Sequence, residues 1–221
     1  MIKQLIEPWR ETPALLLDAA EELFARQGLR ATTVRQITRR AGANLASVHY
    51  HFGSKDALVR AALARRFREI NEPRLRLLDA AEARAAGGPA ALQDILYAFF
   101  APAAGLCAAR PDFMKFAGRV FVEADEKLKA FQLSEFREVI HRFIGALSRA
   151  LPDLPAPELF WRFHLIVGAM VFTWTHYRDV PRFTQGLCRL PEPHEQTARL
   201  VSMAEATLRA PVGPGLKGVK P

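Results

Sequence analysis

The chain has 221 residues, half of them hydrophobic, two cysteines and a formal net charge of +8. This length suits one large or two small domains, and no apolar run approaches the roughly 20 residues of a membrane span. The first ten residues lack the apolar core of a signal peptide, and Cys107 and Cys188 lack metal-ligand spacing. We therefore expect a reduced, cytoplasmic protein that needs no metal or other cofactor and does not associate with membranes.

Basic charge is concentrated in one segment, between Arg26 and Arg66. This segment contains nine Lys and Arg residues and a single acidic residue, Asp56, so its net charge of +8 equals that of the whole chain. A local basic excess is what binding to nucleic acid phosphates requires. The alternative is a solvated basic face that binds nothing.

The first two helices are defined by residues typical of helix ends. A first helix is predicted to begin at Thr12, with Pro13 at its first position, and to end at Gly28. A second helix is predicted from Thr33, because Gln36 three residues later completes a capping box.

A short turn around Gly42 is predicted to join the second helix to a third, which runs from about Leu45 to His51. Asn44 is expected to cap this third helix. Two short helices joined by a tight glycine turn form a helix-turn-helix, whose second helix enters the DNA major groove. A DNA-binding regulator is therefore the first functional hypothesis.

The rest of the chain also shows helical spacing and no strand pattern, so the predicted fold class is all-α. A fourth helix begins near Lys55, and Pro73 is expected to kink or interrupt it. The later helices are predicted at Ala90–Ala109, Asp112–Ala124, Leu128–Leu151, Glu158–Tyr177 and Glu195–Arg209. We expect a helix-turn-helix domain over residues 1–53, a helical body over 54–210 and a flexible tail over 211–221.

The third helix is expected to turn polar groups toward DNA. Ser47, His49, Tyr50 and His51 can contact phosphates or base edges, although His51 is equally suited to packing under a neighbouring helix. Lys55, at the start of the fourth helix, is expected to anchor a phosphate.

The body is rich in aromatic residues and can contain an apolar pocket with a few polar groups. Ordinary core packing accounts for most of these residues. The side chains proposed to line a pocket and to meet an anionic group of a ligand are Phe100, Phe116, Arg119, Val120, Phe143 and His164.

The helix over Glu158–Tyr177 is apolar nearly all round, and in a chain of this size such a helix suggests burial against a partner subunit. The predicted dimer face consists of Trp161, Leu165, Gly168, Ala169 and Phe172 on this helix, with Leu200, Val201, Ala204 and Leu208 on the last one.

Residues 12–62 resemble the DNA-binding domain of TetR-type repressors. The resemblance rests on Leu23-Phe24, Gly28, Thr32–Arg35, Ile37, Ala41-Gly42, Tyr50–Phe52, Ser54-Lys55 and Leu58. It implies a three-helix head, a helical body that binds a small ligand, and a homodimer formed through the last two helices. By position, phosphate contacts are implied for Thr33, Tyr50 and Lys55. Base-facing positions are implied for Arg35, Ala46, Ser47 and His49, and Asn44 and His51 complete the predicted DNA-binding set.

A narrower resemblance joins Asn44–Lys55 with Glu158–His164 and Gly168-Ala169. These segments resemble the PsrA-like subgroup, which implies a long-chain fatty acid or acyl effector. A drug or aromatic effector remains an alternative, as does a helical lipid carrier with an incidental basic end. An enzyme is not expected, because the sequence has no phosphate loop, metal-spaced cluster or nucleophile elbow.

Overall fold

The computed structural model describes residues 7–213, except for the side chains of residues 7–11, 111, 114, 115, 119, 121 and 122. Within these residues the chain is helical and contains no strand, so the predicted all-α class is confirmed. The helices are α1 (Glu7–Gln27), α2 (Val34–Ala41), α3 (Leu45–Phe52), α4 (Lys55–Arg84), α5 (Leu92–Ala109), α6 (Pro111–Glu123), α7 (Glu126–Ala150), α8 (Ala156–His176), α9 (Val180–Phe183) and α10 (Pro193–Arg209).

Two prolines lie inside helices. The sequence predicted that a helix begins at the first of them and that a helix is kinked or interrupted at the second. Helix α1 already includes Glu7, so Pro13 is in its interior, and the predicted start at Thr12 is wrong. Helix α4 continues through Pro73 without interruption. Proline removes one backbone hydrogen bond, and in α4 the buried side chains of Ile70 and Leu78 on either side hold the helix in place.

The chain forms two compact units, and neither is continuous in sequence. Unit 1 contains the residues up to Glu69 together with Ala109–Glu135, and unit 2 contains Ile70–Ala108 together with the residues from Phe136 onward. Unit 1 therefore extends beyond the predicted boundary at residue 53, because α6 packs against α1. That boundary remains a prediction about function, and most of the predicted tail, from residue 214, lies outside the described residues.

The core of unit 1 is built around α1. Phe24 of α1 stacks on Phe116 of α6, with 5.4 Å between the ring centroids, and both rings are fully buried. Ile37 of α2 and Val48 of α3 are also fully buried, whereas Val34 and Ala41 are half-buried. Each of the two short helices thus has one fully buried apolar side chain, and α1 supplies the surface on which they pack.

A buried ion pair connects α1 to α4 within unit 1. Arg66 is only 1% exposed, and its Nε donates to Glu21 Oε2 at 2.9 Å. Its Nη1 donates to Glu69 Oε1, and Arg65 beside it donates to Glu21 Oε1 at 2.7 Å. A buried guanidinium is tolerated only with such partners, so Glu21 holds two arginines of α4 on one carboxylate.

The core of unit 2 is an aromatic cluster centred on Phe99 of α5. Its ring lies 5.1 Å from Phe143 of α7 and 5.1 Å from Phe163 of α8, both edge-on. Helix α5 is the one described helix long and apolar enough to cross a membrane by composition, and half of it is buried here. We interpret its apolar character as that of a core helix, because it supplies the centre of this cluster.

We predict that Glu21→Gln lowers the free energy of unfolding by about 3 kcal/mol, because it leaves Arg66 as a buried charge without its main partner. The measurement is urea unfolding at fixed protein concentration. Glu22→Gln is the matched control, since Glu22 is partly exposed and pairs with the exposed Arg26 and Arg40. That change should cost less than about 1 kcal/mol. Equal losses for the two variants would contradict the assigned role of Glu21.

Candidate nucleic-acid interface

The turn between α2 and α3 depends on the backbone of Gly42. Its φ of 65° and ψ of 25° are left-handed, a conformation that residues with a Cβ rarely adopt. The Ala43 amide donates to the Thr38 carbonyl at 2.9 Å, which closes the end of α2. This is the Schellman-type helix end that lets the chain reverse within a few residues.

Side-chain caps begin both helices of the motif, as the sequence predicted. Thr33 Oγ1 accepts from the Gln36 amide at 3.3 Å, and Gln36 Oε1 accepts from the Thr33 amide at 2.8 Å. At the start of α3, Asn44 Oδ1 accepts from both the amide and the hydroxyl of Ser47, at 2.8 and 2.9 Å. The predicted caps are confirmed, and Asn44 and Ser47 are held by each other in this structure.

Helix α3 presents its polar side chains outward. Val48 is its buried anchor, while Ala46, His49 and Tyr50 are exposed, and Tyr50 is 83% exposed. His51 is half-buried, with its ring edge-on to Tyr50 at 4.9 Å.

The ring of His49 is held by the end of its own helix. His49 Nδ1 lies 3.2 Å from the carbonyl oxygen of Gly53, so a hydrogen on Nδ1 donates to that carbonyl. In the neutral ring this assignment leaves Nε2 as an outward-facing acceptor.

The backbone of Leu29, after α1, is held at both its amide and its carbonyl. Lys55 Nζ donates to the Leu29 carbonyl, and Glu123 Oε2 of α6 accepts from the Leu29 amide at 3.0 Å. The predicted phosphate anchor therefore also fixes the segment between α1 and α2. Glu123 was missed by the sequence analysis, because its contact lies 94 residues away along the chain.

The local charge of +8 is partly neutralised within unit 1. Four of its nine cations pair with acids of α1 that lie just upstream of the segment: Arg26, Arg40, Arg65 and Arg66 pair with Asp18, Glu21 or Glu22. Arg30, Arg35 and Arg39 are exposed and have no ion pair among the described residues. These three are the cations best placed for phosphates or bases.

The predicted pocket residues are divided between the two units. Phe116 and Val120 are buried in unit 1, whereas Phe100 and Phe143 are buried in unit 2. His164 is exposed on α8, edge-on to Trp161 at 6.0 Å, so it does not line an internal site. The side chain of Arg119 lies outside the described residues.

The predicted dimer residues divide into two groups. Trp161, Leu165, Gly168 and Phe172 form an exposed stripe along α8, with Ala169 half-buried beside it. The α10 residues differ: Val201 is half-buried, but three others are buried within the single chain, where α10 packs against α8. The buried three, Leu200, Ala204 and Leu208, are core residues of unit 2 and offer no surface to a partner.

Arg162 of α8 is a structural group. It is buried, its Nε donates to Glu158 Oε1 at 2.7 Å, and its Nη1 donates to the carbonyls of Thr207 and Ala210 at the end of α10. A guanidinium in this position satisfies carbonyls that a helix end leaves without partners.

Arg74 of α4 is a further buried arginine, and the sequence analysis did not predict its burial. Burial lowers the pKa of Arg74 to about 9 and raises the pKa of the neighbouring Cys107 thiol to about 12. Nothing in a helical pattern of arginines distinguishes one that turns into the core from one that faces solvent.

Two family models match the chain. The model "Bacterial regulatory proteins, tetR family" matches residues 16–62, and "Tetracyclin repressor-like, C-terminal domain" matches residues 97–207. The second match alone covers half of the chain.

Curated relatives match over short segments of the chain. The HTH-type transcriptional repressor KstR2 of Rhodococcus jostii is 54% identical over 44 residues, which is 20% of this chain and 22% of that protein. The match thus spans about a fifth of this relative's length.

Solved structures match over most of the chain. A TetR-family transcriptional regulator from Bordetella parapertussis is 19% identical, with a TM-score of 0.61, over 87% of this chain and 93% of its own. The fatty acid degradation regulator FadR from Bacillus halodurans is 13% identical, with a TM-score of 0.63, over 90% and 95%. Likeness at this identity shows the fold.

We predict opposite effects of the same substitution at two glycines. Gly42→Ala should lower the free energy of unfolding by about 1 kcal/mol, because alanine resists the left-handed conformation. Gly105→Ala, inside α5, should raise it by up to about 1 kcal/mol, because alanine favours the helix. No described atom lies within 4 Å of an added Cβ at either position, so crowding does not enter. Chemical denaturation measures both, and changes of the same sign would refute the assignment of the turn.

Proposed function

The chain belongs to the TetR family of transcriptional regulators, and on that basis we propose that it represses transcription from a palindromic operator until a small apolar effector releases it. The observation that best supports the DNA-binding half is the capped helix-turn-helix, in which α3 is anchored by buried Val48 and turns His49 and Tyr50 to solvent. The regulators that match this chain are not enzymes, and we propose that the protein acts in the cytoplasm.

We propose that α3 enters the major groove and that the side chains on it and beside it have two separate roles. Thr33, Tyr50 and Lys55 contact phosphates, while Ala46 and His49 face bases. Because Nδ1 of His49 is directed at Gly53, its Nε2 is the free acceptor, and it suits the amino group of adenine or cytosine. Asn44 and Ser47 hold each other at the cap, which leaves the side-chain NH2 group of Asn44 as a donor and Ser47 Oγ as an acceptor for DNA.

We propose that the active species is a homodimer formed through the exposed stripe of α8. Large exposed apolar side chains on one face of a helix are typical of an interface. A two-fold dimer presents two copies of α3 to two half-sites related by the same symmetry.

We propose that the effector acts through α4, which belongs to unit 1 up to Glu69 and to unit 2 from Ile70. A ligand in unit 2 that favours one position of α4 shifts the recognition helices of the dimer away from the spacing of the operator. The ligand must prefer that state, because equal affinity for both states shifts nothing.

For the effector we favour a long-chain fatty acid or acyl compound. The support is the PsrA-like resemblance of the recognition helix and of α8. A similar fold occurs in a fatty acid degradation regulator, although at 13% identity. A drug or aromatic compound in the same place is the alternative, and a titration series separates the two.

The decisive experiment is fluorescence anisotropy with labelled DNA from upstream of the protein's own coding sequence. We expect specific binding at least about 10³-fold tighter than to a random duplex, with affinity that falls steeply with salt. Dodecanoate should then release the DNA. A lipid carrier would bind dodecanoate and show no preference between the two DNAs, which would refute the proposal.

In the same assay, Lys55→Ala should weaken binding to all DNA sequences alike and reduce the salt dependence, because it removes a phosphate contact. His49→Ala should instead relax the preference at one base pair by about 1–3 kcal/mol. Lys127→Ala, an exposed lysine far along the chain, is the control and should change neither. Altered preference with Lys55→Ala, and none with His49→Ala, would reverse our assignment of roles.

We predict that Leu165→Glu converts the dimer to a monomer, because it places a charge in the centre of the α8 stripe. Leu133→Glu is the matched control: Leu133 is 68% exposed and Leu165 is 63% exposed, but Leu133 lies on α7. Sedimentation velocity should show a smaller species for the first variant alone. If both variants sediment as the wild type does, the α8 stripe is not the interface.

A further inference from the structure

Arg74 is a charged group enclosed in an apolar part of unit 2. Its side chain is 2% exposed, and the centre of its guanidinium lies 4.1 Å from the centroid of the Phe99 ring. Phe99 in turn contacts Phe100, Phe143 and Phe163. A guanidinium is thus placed against the aromatic cluster that forms the core of the unit.

The hydrogen bonds of Arg74 are too few and too weak for a buried guanidinium. Nε donates to the Phe99 carbonyl at 2.7 Å, and Nη1 donates to the side-chain oxygen of Asn71 at 3.3 Å. Among the described residues, the only partner of Nη2 is the Met170 sulfur, at 3.8 Å, and sulfur is a weak acceptor. A guanidinium has five N–H groups, so at least two are not used by these contacts.

The other two buried arginines described above each have a carboxylate partner. Arg66 is paired with Glu21, and Arg162 is paired with Glu158. For Arg74, no carboxylate lies within ion-pair distance among the described side chains. A buried charge without a counter-charge is costly, so an anion that reached Arg74 would gain a strong partner.

We propose that Arg74 is the anion-binding group of an effector site in unit 2, and that the effector is a carboxylate on an apolar chain or ring. The inference rests on the proposed effector-controlled function and specifies its ligand. The carboxylate accepts from Nη1 and Nη2 side by side, the geometry that a guanidinium fork favours. The apolar part of the ligand lies against the Phe99 cluster.

Met170 occupies the place that the carboxylate takes. Its sulfur is at the Nη2 group, and its unbranched side chain can leave that position more easily than a branched or aromatic one. An oxygen of the ligand replaces a weak acceptor with a strong, charged one. Cys107 does not compete for this role, because its buried thiol stays protonated at neutral pH.

The test is isothermal titration calorimetry of wild-type protein, Arg74→Met and Arg76→Met with three probes: dodecanoate, 4-phenylbutanoate and dodecan-1-ol. Arg76→Met is the control, because it removes the same charge from an exposed position two residues along α4. At least one carboxylate should bind wild type and Arg76→Met equally and Arg74→Met at least about tenfold more weakly. The two carboxylates distinguish a chain from a ring, and the alcohol should bind wild type and Arg74→Met alike.

The proposal is overturned if neither carboxylate binds the wild type, or if Arg74→Met binds them as tightly as the wild type does. Arg74→Met without ligand should unfold at the same temperature as the wild type or higher, because it removes an uncompensated buried charge. If Arg74→Met does not fold, Arg74→Lys replaces it. Lysine keeps the charge but not the fork, so carboxylate binding should weaken, and unchanged binding overturns the proposal.

DNA anisotropy on the same samples separates this inference from the proposed function. If a carboxylate binds only when Arg74 is present but the operator complex stays intact, the proposed ligand site is supported and the proposed release of DNA by the effector is refuted. If a carboxylate releases DNA from wild type and Arg74→Met alike, the proposed function is supported and the proposed role of Arg74 in ligand binding is refuted. Absence of specific DNA binding refutes the proposed function and leaves the calorimetric result on Arg74 unaffected.

Discussion

The attachment of α1 to α4 through the Glu21 carboxylate is the interaction on which the helix-turn-helix depends. Helices α2 and α3 have eight residues each and are too short to be stable alone. They exist because α1 gives them an apolar surface, and α1 is fixed in turn by the buried contact of Glu21 with Arg66. The position of the helix-turn-helix therefore depends on a buried charge as well as on the packing of α1 against α6.

Local features of the fold could be predicted from the sequence, because each is decided within a few residues. The Thr33 and Asn44 caps and the Gly42 turn are of this kind, and all three occur as expected. The start of α1 was not predictable from Pro13, since a helix can continue through proline when its remaining bonds and packing suffice. The net charge was counted correctly but partly misinterpreted: its nearest counter-charges, such as Glu22, lie on the preceding helix.

Features that depend on distant parts of the chain escaped sequence reasoning. Three arginines, Arg66, Arg74 and Arg162, turn into the core, and a helical pattern does not separate them from the exposed ones. Their different partners give them different roles: a carboxylate makes Arg66 and Arg162 structural, and its absence makes Arg74 a candidate for ligand binding. The same physical cost of burying a charge thus leads to opposite conclusions, according to what lies within reach of the guanidinium.

The contacts at Leu29 affect how regulators of this kind can be recombined. Its amide and carbonyl are held by Glu123 and Lys55, so α6 and α4 both stabilise the segment that leads into the helix-turn-helix. A chimera that exchanges residues 1–53 between two family members would separate this segment from Glu123, Lys55 and Arg66 together. The module that can be transferred is therefore discontinuous in sequence. A graft keeps its native contacts only if α6 and the first turns of α4 are transferred together with α2 and α3.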